Sequence, residues 1–312
     1  MTRFLIQLIS RVSLICLLIV LIPFAIGRTL PSERELLFSA SFNLNNELNI
    51  YRMSMERQIT VAVTHNPAND FLPDWSPDGQ QIAFVSDRDG NYSIYITDAQ
   101  GNNTRRLFEE SNNQYNPVWS PDGKHIAYIT ESGGYGGVML YDVAAGTIEA
   151  LTDTFRTHVD PVWKPDGKSV TFVSDLDERW NTKIYSVDIA SRVISPIFVG
   201  GATNPVWSPD GRYLLYIAGV EKVNLNVWDD ILKKSTVFYT GDFVSNDTPA
   251  WSADGQAVTY SALTTNANYA IFQLPFSACL AQSPDCIPQA LTSIPAFYRS
   301  PKWKPLRQPL GQ

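Results

Sequence analysis

The stretch Trp75-Ser76-Pro77-Asp78-Gly79 decides the fold, because it returns along the chain at a constant interval. Four further copies, complete or with one residue changed, begin at steps of 44 residues, and a degraded sixth, Trp303-Lys304-Pro305, begins 52 residues after the fifth. A proline stands two residues before the tryptophan in every copy. The repeat tryptophans are Trp75, Trp119, Trp163, Trp207, Trp251 and Trp303. Repetition at this period is typical of chains built from equivalent structural units.

Each unit has the pattern of four short strands. The tryptophan ends the first strand, and Ser-Pro-Asp-Gly forms a tight turn in which proline presets φ, aspartate caps the turn and glycine takes the left-handed position. In the first full unit an apolar strand, Ile82-Ala83-Phe84-Val85, follows the turn, and further strands are expected at 93–97 and 105–108. Four strands in about 44 residues, repeated, are typical of a β-propeller.

The two ends of the repeat region complement each other. Residues 36–64 contain three strand patterns but lack a first strand, whereas Trp303 ends a first strand that has no successors. The sequence therefore predicts an all-β fold: a six-bladed β-propeller that closes by pairing its C-terminal strand with the N-terminal blade, preceded by one N-terminal apolar helix. Closure removes exposed sheet edges. An open solenoid is the alternative, but it would not leave complementary fragments at the two ends.

The first thirty residues have the pattern of an export signal. An uncharged run, 12–26, follows Arg3 and Arg11, and small residues near Gly27 suit a signal peptidase. The run is short for a membrane span, so a cleaved signal peptide and a retained anchor both stay open. We expect three parts: residues 1–30 as signal or anchor, 31–308 as propeller and 309–312 as a tail. We further expect an extracytoplasmic protein, in the periplasm or at the cell surface, in contact with the membrane through its N-terminal segment.

Two cysteines outside the apolar run, Cys279 and Cys286, lie where the last repeat is eight residues longer than the others. An exported chain meets an oxidising compartment, which favours a disulfide between them and a stapled loop insertion. Two unpaired thiols in a surface loop are the alternative.

Composition limits the partners. Of the 312 residues, 44% are hydrophobic, enough to bury a large core, and the formal net charge is −7. No block of lysines or arginines is present, so sequence-independent binding to nucleic acid is not expected. Envelope proteins or peptides are the expected partners.

Pro-x-Trp-Ser-Pro-Asp-Gly followed by an Ile-Ala-Phe strand and by Ile-Tyr and Leu-Thr strands resembles the TolB-type propeller repeat, over about residues 36–305. The resemblance implies the propeller fold and, from periplasmic TolB proteins, a place in the cell envelope. Similar repeats also form the propeller of prolyl-oligopeptidase-like peptidases, whose catalytic domain carries Gly-x-Ser-x-Gly. That motif does not occur in this sequence.

Polar residues three positions before the repeat tryptophans indicate a candidate site. In a propeller this segment lies beside the axis, and five of its six residues are polar although the neighbouring strands are apolar. The hypothesis is a polar funnel that binds a protein, a peptide or a small polar ligand. The alternative is that these residues only satisfy backbone groups around a water-filled channel. The candidate binding residues are Asn116, Asp160, Asn204, Thr248 and Ser300 at this position, together with Tyr115 and His158 nearby.

No other pattern predicts chemistry. The five turn aspartates are explained by their turns. The three histidines, His65, His125 and His158, occupy different places in the repeat, so we expect neither a metal site nor a cofactor, and we expect histidines in solvent-facing loops. The expected function is therefore a non-enzymatic binding or scaffold protein of the envelope. The alternative is an extracytoplasmic propeller enzyme, a glycan lyase or hydrolase that acts in the central channel.

Overall fold

A computed structural model describes residues 34–42, 47–177, 181–198, 201–219, 224–241, 247–264, 269–293 and 296–306. The described residues from Glu35 to Leu306 belong to one compact unit. The predicted N-terminal apolar helix and the 309–312 tail lie outside the described residues. In the described ranges, no helix has the length and apolar character needed to cross a bilayer.

The strands of the described residues form six four-stranded antiparallel sheets, so the protein is the six-bladed propeller that the repeat predicts. In every sheet the strand that ends in a repeat tryptophan lies at the edge nearest the axis. Blade 1 contains β1 (Glu35–Ser41), β2 (Asn49–Ser54), β3 (Ile59–Ala62) and β24 (Phe297–Trp303); blade 2 contains β4 (Asp70–Trp75), β5 (Gln81–Ser86), β6 (Ser93–Asp98) and β7 (Arg105–Arg106); blade 3 contains β8 (Asn113–Trp119), β9 (His125–Ser132), β10 (Tyr135–Asp142) and β11 (Ile148–Ala150).

The remaining blades follow in chain order, and a short helix, α1, precedes the last strand of blade 6. Blade 4 contains β12 (His158–Trp163), β13 (Ser169–Ser174), β14 (Lys183–Asp188) and β15 (Ile194–Phe198); blade 5 contains β16 (Ala202–Trp207), β17 (Tyr213–Ala218), β18 (Asn224–Asp229) and β19 (Lys234–Thr240); blade 6 contains β20 (Ala250–Trp251), β21 (Ala257–Leu263), β22 (Tyr269–Pro275), α1 (Phe276–Leu280) and β23 (Gln289–Ala290).

The ring closes as predicted, because β24 at the end of the chain pairs with β1 at its beginning. Leu36 lies opposite Trp303 in this antiparallel pair. Beyond the pair, the Lys304 N–H donates to the Glu35 carbonyl at 2.9 Å, and Lys304 Nζ lies 2.7 Å from Glu35 Oε2. Blade 1 is therefore assembled from both ends of the repeat region, and the fold has no open first or last blade.

The repeat turns are held by their own side chains. Ser76 Oγ donates to Asp78 Oδ1 at 2.6 Å and accepts the Gln81 N–H at 2.9 Å, while Gly79 takes a φ of +65°. The same Ser–Asp hydrogen bond recurs at Ser120–Asp122, Ser208–Asp210 and Ser252–Asp254. In blade 4, where lysine replaces the serine, Asp166 Oδ1 still accepts the Lys168 N–H at 3.0 Å. These contacts agree with the turn role that the sequence assigns to the motif.

Five of the six inner strands carry a bulge beside the axis. In β4, β8, β12 and β16 the pairing register shifts between the fourth residue and the first residue before the tryptophan. The third residue before it adopts the left-handed region, with φ between +50° and +53°. Five residues share this conformation: Leu72, Asn116, Asp160, Asn204 and Ser300. Left-handed backbone favours asparagine and aspartate over other non-glycine residues, so backbone geometry contributes to the polar character of this position.

Three of the repeat tryptophans, Trp163, Trp207 and Trp251, join neighbouring blades through their indole N–H groups. Trp163 Nε1 donates to the Val118 carbonyl at 3.2 Å, and Trp251 Nε1 donates to the Val206 carbonyl at 3.1 Å. Each of these two bonds joins one inner strand to the inner strand of the preceding blade. These indole groups therefore connect the strands that form the walls of the axial channel.

The predicted disulfide between Cys279 and Cys286 is present. It closes the loop 279–286, which begins near the end of α1 and lies in the insertion of the last repeat. Phe276 at the start of α1 packs against Trp251, with the ring centroids 4.5 Å apart, and against Phe238. The insertion is thus anchored both covalently and by aromatic contacts to blades 5 and 6.

Candidate axial channel

The narrowest part of the axis, which we call the neck, brings together residues from all six blades. Its cavity measures about 30 Å³, the space of one or two water molecules. Four of the predicted site residues line it, together with Leu72 from the equivalent position of blade 2. They are Asn116, Asp160, Thr248 and Ser300. The third residue before the tryptophan thus lines the neck in five of the six blades, Asn204 being the exception, while the binding role of these residues stays a prediction.

Asn204 does not line the neck but connects two residues that do, and it thereby bridges three blades. Its main-chain N–H donates to Asp160 Oδ2 at 3.2 Å, and its Nδ2 donates to Thr248 Oγ1 at 3.2 Å. These bonds run from blade 4 through blade 5 to blade 6. Part of the polar character of the neck therefore serves to join the blades, as the alternative interpretation expected.

Tyr115 and His158 do not line the neck. Tyr115 packs against Tyr92 with ring centroids 5.3 Å apart, and burial together with nearby Glu131 raises its pKa to about 12. His158 is fully buried, which corrects the expectation of a solvent-facing loop histidine. Burial lowers its pKa, although Asp153 lies 3.7 Å from Nε2 and opposes this effect. Both side chains pack against aromatic rings away from the neck, Tyr115 against Tyr92 and His158 against Phe172.

On the side of the repeat turns the neck widens into a larger space, which we call the bowl. It comprises a chamber of about 710 Å³ and a second of about 370 Å³ that share Pro209, Lys302, Pro305 and Leu306 in their linings. Indole rings and turn prolines supply most of the wall. The turn prolines of the bowl are Pro77, Pro121, Pro165, Pro209 and Pro305. The bowl is thus a mainly apolar depression built by the repeat residues themselves.

The floor of the bowl consists of the residues directly before the tryptophans, and it differs from one side to the other. On one side these residues are apolar: Val118, Val162, Val206 and Ala250. On the other side Asp74 and Lys302 face each other, with Oδ1 and Nζ 3.8 Å apart. Neither residue belongs to the candidate site that the sequence predicts. A signal was nevertheless present, since a charged residue stands in only two of six copies of an otherwise apolar position.

Three carboxylates near the axis hold main-chain N–H groups of the following blade. Asp74 Oδ2 accepts the Trp119 N–H at 2.8 Å, Asp160 accepts the Asn204 N–H, and Asp247 Oδ1 accepts the Ser300 N–H at 2.6 Å. Burial raises the pKa of all three carboxyls. In Asp74 and Asp160 the positive charge of Lys302 partly offsets this effect. Near the axis, carboxyl groups whose burial disfavours the charged form therefore connect neighbouring blades.

Together the neck and the bowl have the chemical character of a binding site. The bowl offers apolar surface and the neck offers hydrogen-bonding groups, a combination typical of binding sites. Within the described ranges, no group of three or more histidine, cysteine or acidic side chains is placed to hold a metal ion.

Comparison with known families follows the same repeats. The family model for the TolB β-propeller domain matches residues 29–158 and 140–283. The chain belongs to the TolB β-propeller domain family. Among curated proteins, an uncharacterized peptidase, YuxL, of Bacillus subtilis (strain 168) is 41% identical over 49 residues, or 15% of this chain. The matched stretch spans only 8% of that relative, so the likeness does not extend to a whole protein.

Solved structures with the same fold include both a TolB protein and an enzyme. TolB from Acinetobacter baumannii matches this TolB-type propeller with a TM-score of 0.76 at 18% identity, over 87% of this chain and 67% of that one. An oligogalacturonate lyase in complex with manganese matches with a TM-score of 0.59 at 15% identity, over 82% of this chain and 73% of that one. At these identities the likeness concerns the fold alone.

Proposed function

We propose that this TolB-type propeller is a non-enzymatic binding or scaffold protein of the cell envelope, outside the cytoplasm, that holds a protein or peptide at its axis. The observation that supports the proposal is the convergence of neck and bowl. Side chains from six blades meet in one space whose apolar walls and polar neck are open to a partner on the side of the repeat turns. Family membership agrees with the proposal without defining the partner.

The location is part of the same proposal. It is supported by the uncharged run after Arg3 and Arg11 and by the disulfide between Cys279 and Cys286, which suits an oxidising compartment. Residues 1–30 would either be removed as a signal peptide or hold the propeller at the membrane.

A blocking experiment tests the axial site after folding is complete. Pro121 is exposed and lines the bowl, so a Pro121→Cys variant can be purified and then labelled with a bulky maleimide reagent. The matched control is Val193→Cys, on an exposed part of blade 4 just before the outer strand β15. Both labelled proteins are used as bait in crosslinking with envelope extracts. We expect the bowl label to abolish capture of partners and the control label to leave it unchanged.

Two outcomes would contradict the proposal. Equal capture by both labelled proteins would move the binding site away from the axis. Turnover of an envelope polysaccharide by the unlabelled protein, lost when Pro121→Cys is labelled, would establish the competing glycan lyase or hydrolase. Thermal unfolding of both labelled proteins verifies that the label has not altered the propeller.

A further inference from the structure

Charged side chains that line the neck and the bowl are unequal in sign. Within the part of the chain that the structure describes, three of them are carboxylates, Asp74, Asp78 and Asp160, and one is an ammonium group, Lys302. When all four groups are ionised, two negative charges of the lining therefore have no cation in the lining to balance them. The chain as a whole has the same sign, with a formal net charge of −7.

Lys302 does not complete the hydrogen bonding of the lining carboxylates Asp74 and Asp160. Its Nζ is 3.8 Å from Asp74 Oδ1, which is beyond hydrogen-bond distance. Asp74 Oδ2 and Asp160 Oδ2 each accept one main-chain N–H, from Trp119 and Asn204. Among the described residues, no donor lies within hydrogen-bond distance of the second oxygen of Asp160. Each carboxylate thus keeps an oxygen that an incoming donor can use.

The apolar part of the bowl fits the stem of a long side chain. Between the mouth and Asp160 a ligand passes turn prolines such as Pro165 and floor valines such as Val118 and Val162. Lysine and arginine carry three or four methylene groups below a charged end, and they bury this stem against apolar surface. Arginine adds a planar fork of donors that matches a carboxylate.

Building on the proposed axial binding function, we propose that the bowl receives a partner segment in which a basic side chain, arginine or lysine, is flanked by apolar residues. The flanking residues pack on the proline and indole wall, the stem crosses the valine floor, and the charged end reaches Asp74 and Asp160. The positive charge of Lys302 acts on both carboxylates and weakens the attraction for the incoming cation. The competing occupant is an acidic segment that would bind Lys302 directly.

Three probe peptides separate these occupants. They share the sequence Gly-Pro-Leu-X-Leu-Pro-Gly with blocked ends and a fluorophore, and X is arginine, glutamine or glutamate. Binding to the wild-type protein is followed by fluorescence anisotropy at low ionic strength. We expect the arginine peptide to bind at least about tenfold more tightly than the glutamine peptide, which equals about 1.4 kcal/mol, and the glutamate peptide to bind most weakly. Added salt should reduce this preference.

Substitutions within the lining then test the sign of the effect. Asp160→Asn should weaken binding of the arginine peptide, whereas Lys302→Gln should strengthen it, because it removes the one cation of the lining. Asp166→Asn is the matched control, since Asp166 lies in the exposed turn of the same blade and outside the lining. It should leave the affinity unchanged. The opposite responses of two lining variants cannot arise from a general loss of folding, which thermal unfolding checks separately.

Each binding result either supports or overturns the proposal of a basic partner segment. Tightest binding of the glutamate peptide, or weaker arginine binding in Lys302→Gln, would overturn the proposal in favour of an acidic partner. Equal binding of the three peptides, or equal effects of Asp160→Asn and Asp166→Asn, would also overturn it. If the arginine peptide fails while the labelled Pro121→Cys protein still loses its captured partner, the axial function stands and the basic specificity is wrong.

Discussion

Aspartates at the axis and aspartates in the outer hairpins have opposite electrostatic character. Asp142 and Asp188 lie in exposed hairpins between the third and fourth strands, where the N–H groups of Ala145 and Ser191 lower the pKa of the respective carboxyls. Asp74, Asp160 and Asp247 also accept main-chain N–H groups, but burial raises their pKa. The hydrogen-bonding partner is of the same kind in both places, so the surrounding solvent decides the direction of the shift.

The two groups of aspartates therefore stabilise the repeat in different ways. A hairpin aspartate closes a turn within its own blade and keeps its charge in water. An axial aspartate joins one blade to the next and must lose water to do so. Carboxylates that carry such a cost are candidates for function as well as structure. The following predictions test whether the axial group is maintained by its hydrogen bond, by its charge or by both.

The largest effect is expected at Asp247, which joins blade 6 to blade 1 across the closure of the ring. Asp247→Ala leaves the buried Ser300 N–H without its acceptor and should lower the free energy of unfolding by about 2–3 kcal/mol. Asp247→Asn keeps an acceptor oxygen without the charge and should restore most of this loss. Urea unfolding measures both variants. If asparagine is as destabilising as alanine, the charge rather than the hydrogen bond holds the closure.

The pH dependence of stability should differ in sign between the two regions. A raised pKa at Asp160 means that the folded state binds more protons than the unfolded state, so stability falls as pH rises from the unfolded pKa through the folded one. Each unit of difference corresponds to about 1.4 kcal/mol. The lowered pKa of Asp188 has the opposite effect, because its contribution is present above the unfolded pKa and is lost as pH falls through the folded one.

Melting temperatures between pH 3 and pH 8 test this contrast with a pair of variants. Asp160→Asn should reduce the loss of stability at the upper end of the range, and Asp188→Asn should reduce the loss at the lower end. Identical pH profiles for the two variants would contradict the opposite pKa shifts.

A smaller effect on stability is expected from the indole hydrogen bonds that join the blades. Trp163→Phe removes an indole N–H that donates to the Val118 carbonyl, whereas Trp119→Phe removes one that has no partner among the described residues. Both changes remove a similar apolar area. Trp163→Phe should therefore cost about 1 kcal/mol more than Trp119→Phe in urea unfolding. An equal loss of stability would show that the buried apolar area of these tryptophans, and not the hydrogen bond between blades, determines their contribution to stability.

The sequence predicts features that depend on local patterns better than features that depend on packing between distant parts of the chain. The 44-residue spacing and the complementary ends near Leu36 and Trp303 predict the blade number and the closure, because hydrophobic strands and tight turns depend on local patterns. The convergence of Asn116, Asp160 and Ser300 follows from the same register. The burial of His158 could not be read from the pattern, since it depends on packing against Phe172 of the neighbouring strand.

The bowl was missed for a different reason. Its walls are the tryptophans and prolines that the repeat assigns to structure, and a residue such as Pro121 can stabilise a turn and line a binding surface at once. The charged floor residues Asp74 and Lys302 come from copies that lie far apart in the chain. Only the closed ring places them 3.8 Å apart.

Leu72 provides the smallest and most specific test of why the axial position is polar. It is the one apolar residue among the five that adopt the left-handed bulge, with φ +51°. If backbone conformation favours asparagine there, Leu72→Asn should raise the melting temperature and add about 0.5–1 kcal/mol to stability. Thr248 occupies the equivalent place in blade 6 without a positive φ, so Thr248→Asn should bring no such gain. A gain in both variants, or in neither, would mean that the polar residues of the neck are maintained for contact with a partner and not for the bulge.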